Sequence, residues 1–355
     1  MSRRSIPLVM LATLTVLTVV ALVVSVSQSA GHQNPFGAPL YGFGGYRIHQ
    51  PTTEIGAQWR VPAIDPSSPP HSAASTWIAV ANSQRQFIQV GTVEITYGAI
   101  AEYAVFWSDV KVGFHPQFVG IAHSGNLIKF KMVQTSRGWR LDFNNVTIHA
   151  YPRTIVVPYG QGSTFDSAQW IQEDPTEGDV SDHVPYPTMV APTFRHVTLN
   201  GATPRLREKD GLVLATANGV ILVPTPVHHG QFTLTGATGP ARQYLTDFFA
   251  YDVALYPFQL DTFHSRSPSK AVLRRIRTTL STIGTELRTQ TWPATEMSAV
   301  KGDERYVSDY QKLFAHYSVA PAPLNAAELT ALRSDNRRDK RYVIRIRHAL
   351  GLPPA

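Results

Sequence analysis

Short apolar stretches separated by turn residues fill the chain from Tyr46 to about Ala237. Examples are STWIAVA (75–81), QFIQVGTVEIT (86–96), NLIKFKMV (126–133), WRLDFNNVTI (139–148) and LVLATANGVILV (212–223). Each stretch has the length of a strand, and Pro, Gly, Asn and Ser fall between the stretches. That pattern is typical of antiparallel sandwiches and barrels. We therefore predict a mainly β fold, an antiparallel β-sandwich, for residues 46–239.

The character of the sequence changes after Gly239, where apolar residues recur at helical spacing. One stretch, 270–289, places the following residues on one side of a helix: Val272, Ile276, Leu280, Ile283 and Leu287. A later stretch begins at Asn325 with the pattern of a capping box and ends at Gly351, just before Pro353. Both features mark the limits of a helix. We predict an α-helical C-terminal extension over residues 240–355.

The N-terminal residues 1–30 have the order of an export signal. Arg3 and Arg4 precede an uncharged apolar run over 6–26, and small polar residues follow up to Ala30. The run of about 21 residues is also long enough to span a bilayer, so a cleaved signal peptide and a retained membrane anchor both fit. In either case the rest of the chain lies outside the membrane. We expect an extracellular or membrane-anchored protein, with residues 31–45, rich in Gly and Pro, as a flexible linker.

Positive charge is concentrated in the predicted extension. Residues 266–355 hold 16 Lys and Arg against 8 Asp and Glu, whereas the rest of the chain holds 16 against 17. One interpretation is the solvated face of helices packed against the sandwich. The other is contact with an anionic cell-envelope surface. We do not expect nucleic-acid binding, because the extension has no pattern of base-stacking aromatic residues.

Several chemistries have no support in the sequence. The chain has no Cys, which excludes thiolate catalysis and thiolate metal sites. His228 and His229 are neighbours, so in a strand they would point to opposite faces and could not share a metal ion. We find no nucleophile elbow, phosphate loop or HExxH motif, and we expect no cofactor and no metal.

A set of aromatic and amide side chains lies at the centres of the predicted strands. Its members are Trp77, Gln89, Trp107, Gln169 and Trp170. In a sandwich with one concave face, such residues line a groove for an extended peptide or a sugar chain. For any one of them alone, the simpler interpretation is a core tryptophan or a solvated glutamine.

Taken in order, the strand sequences resemble the glutamic peptidase (eqolisin) family over residues 44–204. The resemblance is carried by GGYRI (44–48), AQWRVPAI (57–64), ASTWIAVAN (74–82), FIQVGT (87–92), YAVFWSD (103–109), SGNLIKFKM (124–132), SAQWIQED (167–174) and FRHVTLNGA (194–202). It implies a concanavalin-like β-sandwich whose concave face binds and cleaves peptides in acid. In that family a Glu activates water and a Gln amide stabilises the oxyanion, chemistry that a carboxylate and a side-chain N–H can perform.

The chain departs from the family pattern at two positions. The family's glutamine is present as Gln89, but Gln169 stands where the family has its catalytic glutamate, and Trp107 stands where it has a supporting glutamate. Gln does not titrate, and the loss of a general base typically costs on the order of 10²–10⁴ in rate. We therefore predict a groove that binds peptide, with Trp77, Trp107 and Trp170 as its walls and with peptidase activity weak or lost.

Three alternatives remain open. An active acid endopeptidase would need another carboxylate, for which Glu173 is the candidate. Glu173 follows Gln169 by four residues, about 13 Å along a strand, so a bulge or a register shift would be required. A lectin-like module that binds cell-surface glycan is the second alternative, and a surface interaction module without a small ligand is the third.

Overall fold

The computed structural model describes residues 42–148, 150–175, 184–216, 218–263, 267–292, 294–319 and 341–353. The predicted signal or anchor at 1–30, residues 31–41 of the predicted linker and the predicted helix start at Asn325 lie outside these residues. Within them, no helix is both long and apolar enough to cross a bilayer.

Fifteen strands form the first part of the described chain. The first eight are β1 (Phe43–His49), β2 (Glu54–Arg60), β3 (Ala73–Ala81), β4 (Phe87–Tyr97), β5 (Ile100–Asp109), β6 (Gln117–Ile121), β7 (Leu127–Thr135) and β8 (Gly138–Asn145). The others are β9 (Ala150–Val157), β10 (Ser167–Glu173), β11 (Thr193–Leu199), β12 (Gly211–Leu212), β13 (Leu214–Ala215), β14 (Ile221–Pro224) and β15 (Phe232–Gly236). The first strand begins within the predicted linker, at its thirteenth residue, Phe43.

The strands form two antiparallel sheets. One has seven strands in the order β12-β1-β10-β3-β4-β5-β6, and the other has eight in the order β13-β14-β15-β11-β2-β7-β8-β9. Trp59 of the eight-stranded sheet stacks on Phe130 at 4.3 Å and donates its indole N–H to Thr92 of the other sheet at 3.0 Å. Such contacts fill the space between the sheets, and the prediction of an antiparallel β-sandwich is confirmed.

The central strands of the seven-stranded sheet are covered on both faces. Every residue of β4 from Phe87 to Thr96 is buried, and so are all residues of β3 except Ala81. One face of this sheet, the inner face, packs on the other sheet. The outer face has its own apolar cluster, which includes Trp77, Phe106 and Ile171. Burial on both faces explains why these strands are nearly continuous apolar runs.

The strands are followed by helices, as the sequence predicts. They are α1 (Gly239–Phe263), α2 (Lys270–Thr289) and α3 (Met297–Val319), and residues 341–349 are also helical. The buried side of α2 consists of Leu273, Ile276, Leu280, Ile283 and Leu287. Gly351 has φ +67°, and the N–H of Leu352 donates to the carbonyl of Arg347 at 2.8 Å. These contacts end the last helix where the sequence predicts its end.

The helices and the sandwich share the strands β13 and β14. Leu214 and Leu222 point into the core between the two sheets, whereas Ala215 and Ile221 belong to the core of the helices. The helical extension therefore packs directly on one end of the eight-stranded sheet.

Candidate functional site

The strand register brings the two predicted glutamines into one row on the outer face of the seven-stranded sheet. Gln169 of β10 is opposite Ala79 of β3, and Ala79 is opposite Gln89 of β4. The row continues to Arg47 of β1 on one side and to Ser108 of β5 on the other. Gln89 and Gln169 are thus separated by a single strand, about 10 Å between Cα atoms. The side chain of Ala79 between them is short and fully buried.

The amide of Gln89 is fully buried and held by its neighbour in the row. Its Nε2 donates to the Oγ of Ser108 at 2.8 Å, on the side away from Gln169. Its Oε1 is buried and has no hydrogen-bond partner in the described part of the chain. A buried amide oxygen without a partner costs free energy, so a hydrogen-bond donor at this atom would be stabilising.

Gln169 and Arg47 form the accessible end of the row. Both are half-buried, and no hydrogen bond or ion pair joins either side chain to another described residue. Burial lowers the pKa of the Arg47 guanidinium from its ordinary value. A partly desolvated guanidinium beside an amide suits carbonyl or carboxylate groups of a ligand.

Glu173 lies on the same face but in a different row. Its partner across the strand is Ser75, two residues before Trp77. One oxygen, Oε2, accepts hydrogen bonds from the Ser75 hydroxyl at 2.9 Å and from the Trp77 indole at 2.7 Å. Burial raises the pKa of Glu173 to about 7, against the effect of those two donors. From strand geometry, the Cα atoms of Glu173 and Gln89 are about 16 Å apart, two strands across and four residues along.

The three tryptophans predicted to line the groove, Trp77, Trp107 and Trp170, do not lie on one face of the sheet. Trp77 is on the outer face but is only 1% exposed. Trp170 and Trp107 are on the inner face. Trp170 is buried in the core between the sheets and its indole donates to the carbonyl of Gly56 at 3.1 Å, whereas Trp107 is partly exposed and packs against that core. Because adjacent residues of a strand point to opposite faces, Trp170 cannot share the face of Gln169.

The connection between β5 and β6 covers part of the outer face. Phe114 has φ +61°, an uncommon backbone conformation for a bulky residue, and its ring packs on Phe87 at 5.7 Å. Phe87 is two residues before Gln89 on the same side of β4. This turn therefore packs on the face of β4 that carries Gln89.

A second polar cluster lies between the sheets. Glu94 and Asp174 are both buried, and Tyr186 is close enough for both carboxyl groups to influence it. Burial raises the pKa of Glu94 and of Asp174 well above the ordinary range. In the described residues one oxygen of each carboxyl has no hydrogen-bond partner. This cluster is closed to solvent and bears on stability rather than on ligand access.

The row as a whole offers hydrogen-bond donors and acceptors but no titrating acid or base. Gln89, Gln169 and Ser108 can bind backbone amides, and Arg47 adds a positive charge. Within the described residues no group of three or more His, Asp or Glu side chains is arranged to hold a metal ion. Sequence reasoning did not single out Arg47 and Ser108. Both lie in the strand motifs GGYRI and YAVFWSD. Only the pairing of β1 with β10 and of β4 with β5 places them in the row with Gln169 and Gln89.

No family model matches the chain, and no curated protein matches it. Among solved structures, it is similar to scytalido-glutamic peptidase with a transition state analog inhibitor, at 15% identity and a TM-score of 0.45 over 56% of this chain and 100% of that chain. It is similar to SCP-B, an eqolisin peptidase in complex with the tripeptide Ala-Ile-His, at 14% identity and a TM-score of 0.40 over 56% and 100%. It is also similar to aspergilloglutamic peptidase from Aspergillus niger, at 18% identity and a TM-score of 0.35 over 46% and 99%. The similar structures thus include members of the peptidase family that the strand motifs resemble.

Proposed function

We propose that the outer face of the seven-stranded sheet binds an extended peptide, and that its peptidase activity is weak or lost. The observation that carries the proposal is the row Arg47, Gln169, Ala79, Gln89 and Ser108. By the sequence resemblance, Gln169 stands where the family has its catalytic glutamate. Amides on both sides of a small residue can hold the carbonyl and N–H groups of a peptide. They cannot accept a proton from an attacking water.

The properties of Glu173 argue against an acid endopeptidase that uses it. Burial raises the pKa of this carboxyl to about 7, so only a small fraction of it is ionised and available as a general base in acid. Its hydrogen bonds to Ser75 and Trp77 also hold it in place, away from the row.

The placement of the aromatic residues argues against a lectin-like module. A sugar-binding groove stacks its ligand on exposed aromatic faces, whereas Trp77, Trp107 and Trp170 are covered by other residues or lie between the sheets. The site suits a ligand with a backbone of amide groups better than one with stacked rings.

Peptide hydrolysis and peptide binding by the full chain test the proposal. We expect no cleavage across about pH 2 to 7, and gain of acid cleavage in Gln169→Glu, which restores a proton acceptor in the row. We expect Arg47→Gln and Gln169→Ala to weaken binding of an extended peptide library about tenfold, as the loss of one charge-assisted or buried hydrogen bond does. Lys129→Gln, at an exposed position of the other sheet, is the control and should bind normally.

Two outcomes would contradict the proposed function. Acid cleavage by the parent chain that Glu173→Gln abolishes would show an active enzyme with a displaced base. Peptide binding that is unaffected by Arg47→Gln and Gln169→Ala would place the ligand elsewhere on the molecule.

A further inference from the structure

A stripe of basic residues runs along the exposed side of α2. We call it the basic face: Lys270, Arg274, Arg277 and Arg288, all of which are exposed. At 3.6 residues per turn these positions lie on one line parallel to the helix axis, about 27 Å long from first to last. Arg275 adds a further exposed charge beside the stripe.

Among the described residues, no Asp or Glu forms an ion pair with the basic face. The sequence contains no Asp or Glu between Asp261 and Glu286. None of the five ion pairs of the described residues includes a member of the basic face. The neighbouring positions are short and uncharged, such as Ser281 and Thr278, so the charges stand above a flat polar surface.

The arrangement is unfavourable for the helix itself. Lys270 occupies the first turn of α2, directly after its cap Ser269, and the first turn contains no acidic residue. A positive charge there opposes the helix dipole, and Lys270, Arg274 and Arg277 repel one another at spacings of three and four residues. No ion pair within the described residues compensates for this cost, so the basic face is free to bind an external anionic group.

We propose that the basic face of α2 docks on an anionic phospholipid surface. Cations in a straight line along one side of a helix can all contact a plane of phosphate groups at once. Each Lys or Arg near such a surface contributes additively to binding. The apolar side of α2 is buried in the helical core, so the helix rests on the headgroups without inserting. The predicted N-terminal signal or anchor would bring the chain to a membrane in the first place.

The absence of Cys makes a local test possible in the full chain. Ser281→Cys places one thiol in the middle of the basic face, for a dye whose energy transfer to a lipid-borne acceptor reports only the approach of α2. We expect transfer with vesicles of phosphatidylcholine and phosphatidylglycerol, little transfer with phosphatidylcholine alone, and loss of transfer at high salt. Lys270→Gln/Arg274→Gln/Arg277→Gln should weaken the affinity for the mixed vesicles about 100-fold.

Matched control variants distinguish docking of the basic face from an effect of the protein's net charge. Lys129→Gln/Arg137→Gln/Arg195→Gln removes three exposed charges from the sandwich and should leave the transfer unchanged. The α2 variant should also keep or raise its thermal midpoint, because it relieves repulsion within the helix.

Three results would overturn the proposal. Equal transfer to neutral and anionic vesicles would show that the N-terminal segment alone positions the chain. Equal loss in the two triple variants would make the effect one of net charge. Binding of heparin or duplex DNA by the basic face, without transfer from anionic vesicles, would assign it to a soluble polyanion.

Discussion

The indole N–H of Trp77 and the hydroxyl of Ser75 donate to the same oxygen of Glu173, at 2.7 and 2.9 Å, and so join β3 to β10 on the outer face. The two donors favour the charged carboxylate, whereas burial favours the protonated form. Burial is the larger effect, and the pKa of Glu173 is raised to about 7. Glu173 therefore titrates in a range where its contribution to stability can be measured.

Trp77→Phe should destabilise the protein more at pH 8 than at pH 5. The change removes one of the two hydrogen-bond donors to a buried carboxyl. The loss of unfolding free energy, about 1 to 3 kcal/mol, is larger when the acceptor is the charged carboxylate than when it is the neutral acid. The urea midpoint at the two pH values measures the difference. Trp139→Phe is the control, because Trp139 is equally buried but its indole N–H has no partner in the described residues. An equal pH dependence in both variants would show that the indole bond is unimportant.

Stability should fall as the pH rises from about 4.5 to above 7. The folded protein keeps the Glu173 proton over this range while the unfolded chain has lost it, so the stabilisation is complete below the unfolded pKa and is lost on passing the folded one. A shift from 4.5 to about 7 corresponds to about 3 kcal/mol. Glu173→Gln should make this part of the curve less steep, with the remaining slope due to the buried carboxyl groups of Glu94 and Asp174. Asp166→Asn, at an exposed position before β10, should leave the slope unchanged. A flat curve for the parent chain would contradict the assignment.

Gly91→Ala should cost several kcal/mol of unfolding free energy. A Cβ at this position would lie 2.1 Å from the Thr76 carbonyl oxygen and 2.6 Å from the Cβ of Trp77. Backbone atoms cannot move away cheaply, so β3 and β4 would have to separate. Chemical denaturation measures the loss, and Gly236→Ala, with nothing within 4 Å of the added atom, should change stability by less than about 1 kcal/mol. Similar values for the two variants would show that the sheet accommodates the methyl group.

Gly302→Ala should loosen the last helical stretch while leaving the sandwich intact. The added Cβ would lie 2.6 Å from the ring of Tyr342, which packs across α3 at this point. Hydrogen exchange should become faster over residues 341–349 and stay unchanged in β4. Unchanged exchange at both places would mean that the Tyr342 ring turns aside, and the gain in helix propensity over Gly would then appear as added stability.

The sequence predicts those elements whose apolar pattern reflects their own environment. The stretch 270–289 is α2 from end to end, because one side of it is buried and the other is solvated. Residues 86–96 agree with β4 to within one residue at each end, because turn residues bound them. For both elements, the residues of the element itself and its immediate neighbours are enough to predict its type and its ends.

The placement of the aromatic residues could not be predicted in the same way. In β3 and β4 both faces are buried, so no alternation shows which residues face the other sheet. Trp107 could be assigned to a face only from the pairing of β4 with β5, which is not local. Trp170 is different, since its position next to Gln169 already places the two on opposite faces.

The two short strands β13 and β14 have one further consequence. Their side chains alternate between the two hydrophobic cores, so removing the chain after Gly236 would leave Ala215 and Ile221 bare to water. The region that resembles a peptidase is therefore not a portable module. An expression fragment or a graft limited to residues 44–204 would leave out both strands and the helical layer that covers them. We expect such a fragment to aggregate through its exposed apolar surface before peptide binding can be assayed.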